Sequence, residues 1–173
     1  KKDSDGNELD LGYIKDNTGE NISILNPSFC AILLYSAIFE YQKKAKNNMP
    51  FPLLYLVMPI VLHKNTRNRV NSRENMVVWL QRNPDVLIGF ADRAKSLIGF
   101  TNEAIEFLLF QGNCEIIDGG LSIIKTVSKS KIVQYAANDQ EIAECIQKAE
   151  HVGRWFYNMH AVENIYTALG VKP

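Results

Sequence analysis

The sequence predicts a mainly α fold with a β-hairpin: a helical domain with a winged-helix-like arrangement. Two observations predict it. Apolar residues recur at helical spacing behind cap signals along most of the chain from Asn26 onward. The period changes only near Cys114–Val127, where Asp118-Gly119-Gly120 separates two short apolar runs, the pattern of a tight turn between strands.

Residues 1–25 form a polar, acidic N-terminal arm with at most one short strand near Asn21–Leu25. Residues 26–173 are expected to fold as a single mainly helical domain, with the winged-helix-like part at about 84–127. Asn26-Pro27-Ser28 starts the first helix: Asn is a favoured cap, and Pro at the first helical position loses nothing by lacking an N–H. This helix is apolar nearly all round, which predicts burial between layers, and Lys43–Asn48 ends it in solvent. Pro50 and Pro52 open a second segment, Leu53–His63, which Pro59 should kink or break. His63–Arg69 reads as a basic loop. Ser72 is expected to cap a helix through Gln81, and Asn83-Pro84-Asp85 to start another that runs to Ile98 and stops at Gly99. Thr101 is expected to cap the next, which Gly112 ends. Lys129–Asn138 reads as loop. Asp139 opens the most clearly amphipathic helix, with Ile142, Cys145, Ile146, Ala149, Val152, Gly153 and Phe156 on one face. A last short helix stops at Gly170.

Composition narrows the function classes. Lysine and arginine total 19 against 19 aspartates and glutamates, so no basic excess points to salt-driven nucleic-acid binding. The three cysteines, Cys30, Cys114 and Cys145, sit in apolar contexts at irregular spacing, which reads as buried thiols and a cytoplasmic location. The longest apolar runs fall short of the ~20 residues a spanning helix needs, so no membrane is expected. The histidines, His63, His151 and His160, lack metal-ligand spacing, no serine lies in a nucleophile elbow, and no phosphate loop is present. The chain is therefore expected to be no enzyme, with no catalytic, cofactor-binding or metal-ligating residues and no cofactor.

Candidate contact residues remain. Between residues 60 and 100 the cations Lys64, Arg67, Arg69, Arg73, Arg82, Arg93 and Lys95 outnumber Glu74, Asp85 and Asp92 by seven to three. Lys64, Arg67, Arg69 and Arg73 are thus candidates for phosphates or for an acidic partner face, set against a solvated loop that pairs with the chain's own acidic N-terminal arm. The helix order Asp85–Ile98, then Asn102–Gln111, then hairpin, is that of a winged helix-turn-helix. Its second helix carries Glu103, Glu106, Phe107 and Phe110 and no Lys or Arg, which suits protein better than DNA. Lys125 on the wing keeps a DNA-binding regulator as the alternative. Arg154, Trp155 and Tyr157 are candidates for an interface anchor, since Trp, Tyr and Arg dominate binding hot spots and the last two lie off the apolar face.

Several segments then carry a family resemblance: Asn26-Pro27-Ser28-Phe29-Cys30-Ala31-Ile32-Leu33-Leu34, Leu62-His63-Lys64-Asn65-Thr66-Arg67, Asn83–Ala94, Gly153-Arg154-Trp155-Phe156 and Ile165–Pro173. In this order they resemble the middle component of bacterial three-component ABC ATPase (ABC-3C) systems, a group similar to the C subunit of Lamassu-type antiphage defence. The resemblance implies a non-catalytic link between ABC or SMC-like ATPase subunits and an effector subunit, often a nuclease, with DNA contacted through the complex.

Overall fold

The computed structural model of the chain describes residues 12–15, 21–24 and 27–172, and in these the fold is mainly helical. Two short strands, β1 (Gly12–Lys15) and β2 (Asn21–Ile24), pair antiparallel in the N-terminal segment. The sequence suggests only the second of them. Asn26, the expected cap, lies outside the described residues.

Helix α1 (Pro27–Ala45) begins at the expected proline. Phe29, Leu33, Leu34, Ala37 and Ile38 are fully buried along it. It is the central element. It packs chiefly against α8 (Gln140–Asn158) and against α6 (Ile98–Phe110). The tightest point of the α1–α8 crossing is at Gly153. A Cβ there would stand 2.9 Å from the carbonyl carbon of Ala37 and 3.0 Å from its Cα, so only glycine lets the two backbones approach this closely.

After β3 (Met49–Pro50), helix α2 (Phe51–Val61) is buried along almost its whole length. Pro59 sits in its last turn and α2 runs through it, ending at Val61. A proline so near the end removes a hydrogen bond only where the helix is about to stop. Helices α3 (Lys64–Arg69) and α4 (Met76–Arg82) follow. Asn75, not Ser72, caps α4, its side chain accepting from Val78 N at 2.9 Å.

The expected single helix over Asp85–Ile98 is instead two pieces. A 3-10 turn covers Pro84–Leu87 and α5 covers Phe90–Ser96. Gly89 between them adopts φ 70°, a left-handed conformation that interrupts helical hydrogen bonding and that glycine tolerates without a Cβ clash. The buried Arg93 guanidinium stitches the break, donating to Ile88 O at 3.1 Å and Val86 O at 3.2 Å. Gly99 and Thr101 lie inside α6, which starts at Ile98. Thr101 is fully buried and its hydroxyl donates to Leu97 O at 3.1 Å. Only Leu97 separates α5 from α6.

The hairpin forms as expected, from β4 (Cys114–Ile117) and β5 (Gly120–Ile123) with Cys114 opposite Ile123. The short β3 pairs with β5, Met49 opposite Leu121, giving the strand order β3-β5-β4. A short strand between the first two helices that joins the far strand of a later hairpin is a winged-helix-like arrangement. The wing therefore draws on Met49–Pro50, well before residue 84. Gln42 of α1 locks the sheet in place: Ile123 N donates to its Oε1 at 2.9 Å, and its Nε2 donates to Ser122 Oγ at 3.1 Å.

The segment read as loop after the hairpin contains α7 (Lys129–Tyr135), capped by Ser128, whose hydroxyl accepts from Lys131 N at 3.4 Å. Asp139 caps α8 as expected, accepting from Ile142 N at 3.1 Å. Helix α9 (Val162–Ala168) closes the chain against α2 through Tyr166, whose hydroxyl donates to Pro52 O at 2.6 Å. No helix among the described residues is long and apolar enough to cross a membrane.

Candidate partner interface

The basic stretch expected to be a loop is largely helix, and much of its charge is spent inside the chain. His63 starts α3, its Nδ1 lying 2.7 Å from Thr66 Oγ1. Arg67 faces inward and is 1% exposed. Its guanidinium donates to Val61 O at 3.0 Å and Leu62 O at 3.3 Å, and pairs with Glu141 at 2.7 Å. The last carbonyls of a helix have no partner within it, so a buried guanidinium at the end of α2 satisfies them and complements the helix dipole. Arg67 thus ties α2 to α8 and offers nothing to an outside phosphate.

Arg69 pairs with Asp85 at 2.5 Å while about a third exposed, and this guanidinium holds the Asp85 carboxyl below its usual range. Arg82 pairs with Glu74. Lys64 and Arg73 are exposed, and among the described residues neither makes an ion pair. Of the four basic candidates, then, two stand fully in solvent, one is half committed and one is buried.

Arg154, Trp155 and Tyr157 divide in the same way. Trp155 is 1% exposed. Its indole N–H donates to Glu74 O at 2.7 Å and its ring stacks, tilted, on Trp79 with centroids 4.8 Å apart. It lies off the α1-facing side because α8 is buried on two sides, and the second meets α4. Arg154 is half-buried, paired with Glu40 of α1 at 3.0 Å. Tyr157 is half-buried beside Tyr41, ring edge to face at 6.3 Å. Arg154 and Tyr157 remain at the surface as part of a patch with Glu40 and Tyr41.

The winged-helix-like face is acidic and apolar. Along α6, Glu103 and Glu106 are exposed and Phe110 is 90% exposed, with no Lys or Arg in the helix. Beside it β4 is an edge strand with Ile116 58% exposed. Lys125 is exposed, but it lies at the base of the hairpin, where its backbone N–H donates to Asn113 O at 3.2 Å. The tip, Asp118-Gly119, carries no cation. Sequence order places Lys125 on the wing; the register places it past the end of β5, at the base of the hairpin and away from its tip.

Cys30, Cys114 and Cys145 are all buried, and burial pushes Cys114 and Cys145 up to about 12. Among the described residues no group of His, Cys, Asp and Glu side chains is placed to hold a metal ion.

Residues 15–173 match the family described as ABC-three component (ABC-3C) system Middle Component 3. The chain belongs to that family. The match covers every described helix of this middle component, from Pro27 at the start of α1 to Ala168 at the end of α9, together with the wing. No curated protein and no solved structure matches the chain.

Proposed function

We propose that this middle component is a non-catalytic, cytoplasmic adaptor. It links ABC or SMC-like ATPase subunits to an effector subunit, a nuclease being the expected kind, in a bacterial antiphage defence complex akin to the Lamassu type. The family match over residues 15–173 carries the reading. The geometry supports it in one respect: the winged-helix-like face presents Glu103, Glu106 and Phe110 where a DNA reader would need cations. Such a face suits a protein partner, and this weighs against the alternative of a free-standing winged-helix regulator. Lys64, Arg69, Arg73, Lys125, Arg154 and Tyr157 are the surface positions assigned to further contacts with the partners, or with DNA held by the complex. In this mechanism the nucleotide state of the ATPase changes the adaptor's contacts and repositions the effector, to the extent that the two states differ in affinity for it.

The test is co-expression of the tagged chain with its genomic neighbours, followed by affinity purification and mass spectrometry. Stoichiometric recovery of an ATPase and an effector is expected. Recovery of the chain alone, or with DNA and no protein, overturns the reading. Phe110→Asp should leave thermal stability unchanged, because the ring is almost wholly in solvent, and should weaken recovery of one partner.

A further inference from the structure

A groove of about 750 Å³ runs between α1, α7 and α8, within the size range of sites that hold ligands. Tyr35, Phe39 and Ile146 line it from the body of the domain, and Ile132, Val133 and Ala136 from the α7 side. No residue of α7 itself is buried, and Val133 is 60% exposed. The short helix therefore stands beside the groove as a wall and does not fill it. Along α8 the lining residues run from Gln140 to Glu150, roughly 15 Å or three helical turns.

The rim has one sign of charge in excess. Among the described lining residues Glu40, Glu144 and Glu150 face one cation, Lys129, with Arg154 and Lys43 near enough to act on Glu150. Glu40 is occupied by Arg154 at 3.0 Å, and Glu144 accepts from Gln140 at 3.2 Å. Glu150 makes no ion pair among the described residues. Burial raises its carboxyl above the usual range and Glu40 raises it further, against the weaker pull of Lys129, Arg154 and Lys43. A half-buried carboxylate on an apolar wall, next to a second carboxylate, is a favourable place for an incoming cation.

We propose that this groove takes an amphipathic helix from a protein partner, with its apolar stripe on Phe39, Ile132 and Ile146 and a flanking lysine or arginine on Glu150. Charge selects this occupant. The chain's own residues 1–25 carry Lys1, Lys2 and Lys15 against Asp3, Asp5, Glu8, Asp10, Asp16 and Glu20, three against six, and the rim repels them. An anionic membrane surface is repelled for the same reason. Helix-in-groove docking reads an apolar stripe at i, i+3, i+4 and i+7, which three turns of groove can accommodate. The inference goes beyond the adaptor reading and does not depend on it, because the isolated full chain must show it.

The test uses two fluorescein-labelled, helix-stapled 15-residue peptides with the same leucine–alanine stripe, one flanked by lysines and one by glutamates. Binding to the full chain is followed by fluorescence anisotropy. The lysine peptide should bind saturably and the glutamate peptide about tenfold more weakly, the gap narrowing in high salt. Glu150→Gln should weaken the lysine peptide about fivefold and leave the glutamate peptide unchanged or tighter. Val133→Asp, at an exposed position that leaves the thermal transition intact, should abolish binding of both. Absence of saturable binding, equal binding of the two peptides, or indifference to both variants overturns the proposal. So does concentration-dependent self-association that Val133→Asp dissolves, which would put a second copy of the chain in the groove.

Discussion

Gly153→Ala tests the packing argument most directly. The new Cβ would point at the backbone of Ala37, 2.9 Å from its carbonyl carbon and 3.0 Å from its Cα, where ordinary contact is 3.4–4 Å. Neither atom can rotate away, so α1 and α8 must part by about 0.5–1 Å. A gap of that size forfeits roughly a quarter to a half of each dispersion contact it opens. Overpacking of this kind costs about 1–3 kcal/mol, and rigid backbone on both sides puts it near the top of the range. Alanine returns about 1 kcal/mol through helix propensity. The expected net loss is about 2 kcal/mol, read as a lower urea midpoint at unchanged m, with Tm falling by about 4–8 °C. Ala37→Gly should not rescue it, because the collision is with main-chain atoms. A Gly153→Ala protein within about 0.5 kcal/mol of the parent, or one restored by Ala37→Gly, would refute the reasoning.

Other outcomes follow from single contacts. Arg67→Ala leaves the Val61 and Leu62 carbonyls without their donor and Glu141 without its partner; because Glu141 is 40% exposed, the loss should be about 3 kcal/mol by urea unfolding, below the top of the range for a broken buried pair. Arg67→Lys should recover little, because an ammonium cannot reproduce the guanidinium fork. Trp155→Phe strands the Glu74 carbonyl, for about 2 kcal/mol in the same assay. His151 is buried, and burial first, then Arg154 and Lys148, lower its pKa from 6.5 to about 4. The folded state thus resists a proton that the unfolded state accepts. Its contribution is fully present above pH 6.5 and is lost as pH falls toward 4, by up to about 3 kcal/mol. Glu150, whose carboxyl is raised, has the opposite sign at the acid end of that window. Comparing urea midpoints of parent and His151→Phe across pH 7 to 4 isolates the histidine, whose share of the slope should vanish in the variant.

The elements that were legible in the sequence are those whose signal is local. Pro27 opens α1, Asp139 caps α8, and the Asp118-Gly119 turn sets the hairpin, each through chemistry carried by a few adjacent residues. The elements that were not legible depend on distant partners. Lys64–Arg69 has no apolar stripe, yet it is helical because His63 caps it and Arg67 reaches across to the end of α2 and to α8. Lys129–Tyr135 has no buried residue to announce it; Ser128 caps it, and Ile132 and Tyr135 rest partly covered against the core, Tyr135 stacked on Phe29. Gly99 and Thr101 look like punctuation, but the break falls ten residues earlier than Gly99, at Gly89, where Arg93 can hold the two sides together.

Which candidate contact residues stay at the surface follows from how little the fold needs them. A cation in a sequence is an available donor, and a helix end supplies acceptors that solvent cannot reach once the end is buried. The domain packs α2 inside and so must terminate it with protein groups; Arg67 lies close enough in the chain to do so and is withdrawn from the surface. Trp155 is withdrawn likewise, because α8 contacts α1 on one side and the α4 region on the other, which a one-stripe reading of its periodicity cannot register. The charge and apolar surface that the fold does not use stays outside. Lys64, Arg73 and Lys125 stand in solvent, Phe110 and Ile116 lie on the winged-helix-like face, and Glu150 sits in its groove. Under the proposed adaptor reading, these are the groups through which the chain would act. On that reading, a basic margin, an apolar winged-helix-like face and an acid-rimmed groove lie apart on one small domain and would suit partners of different chemistry.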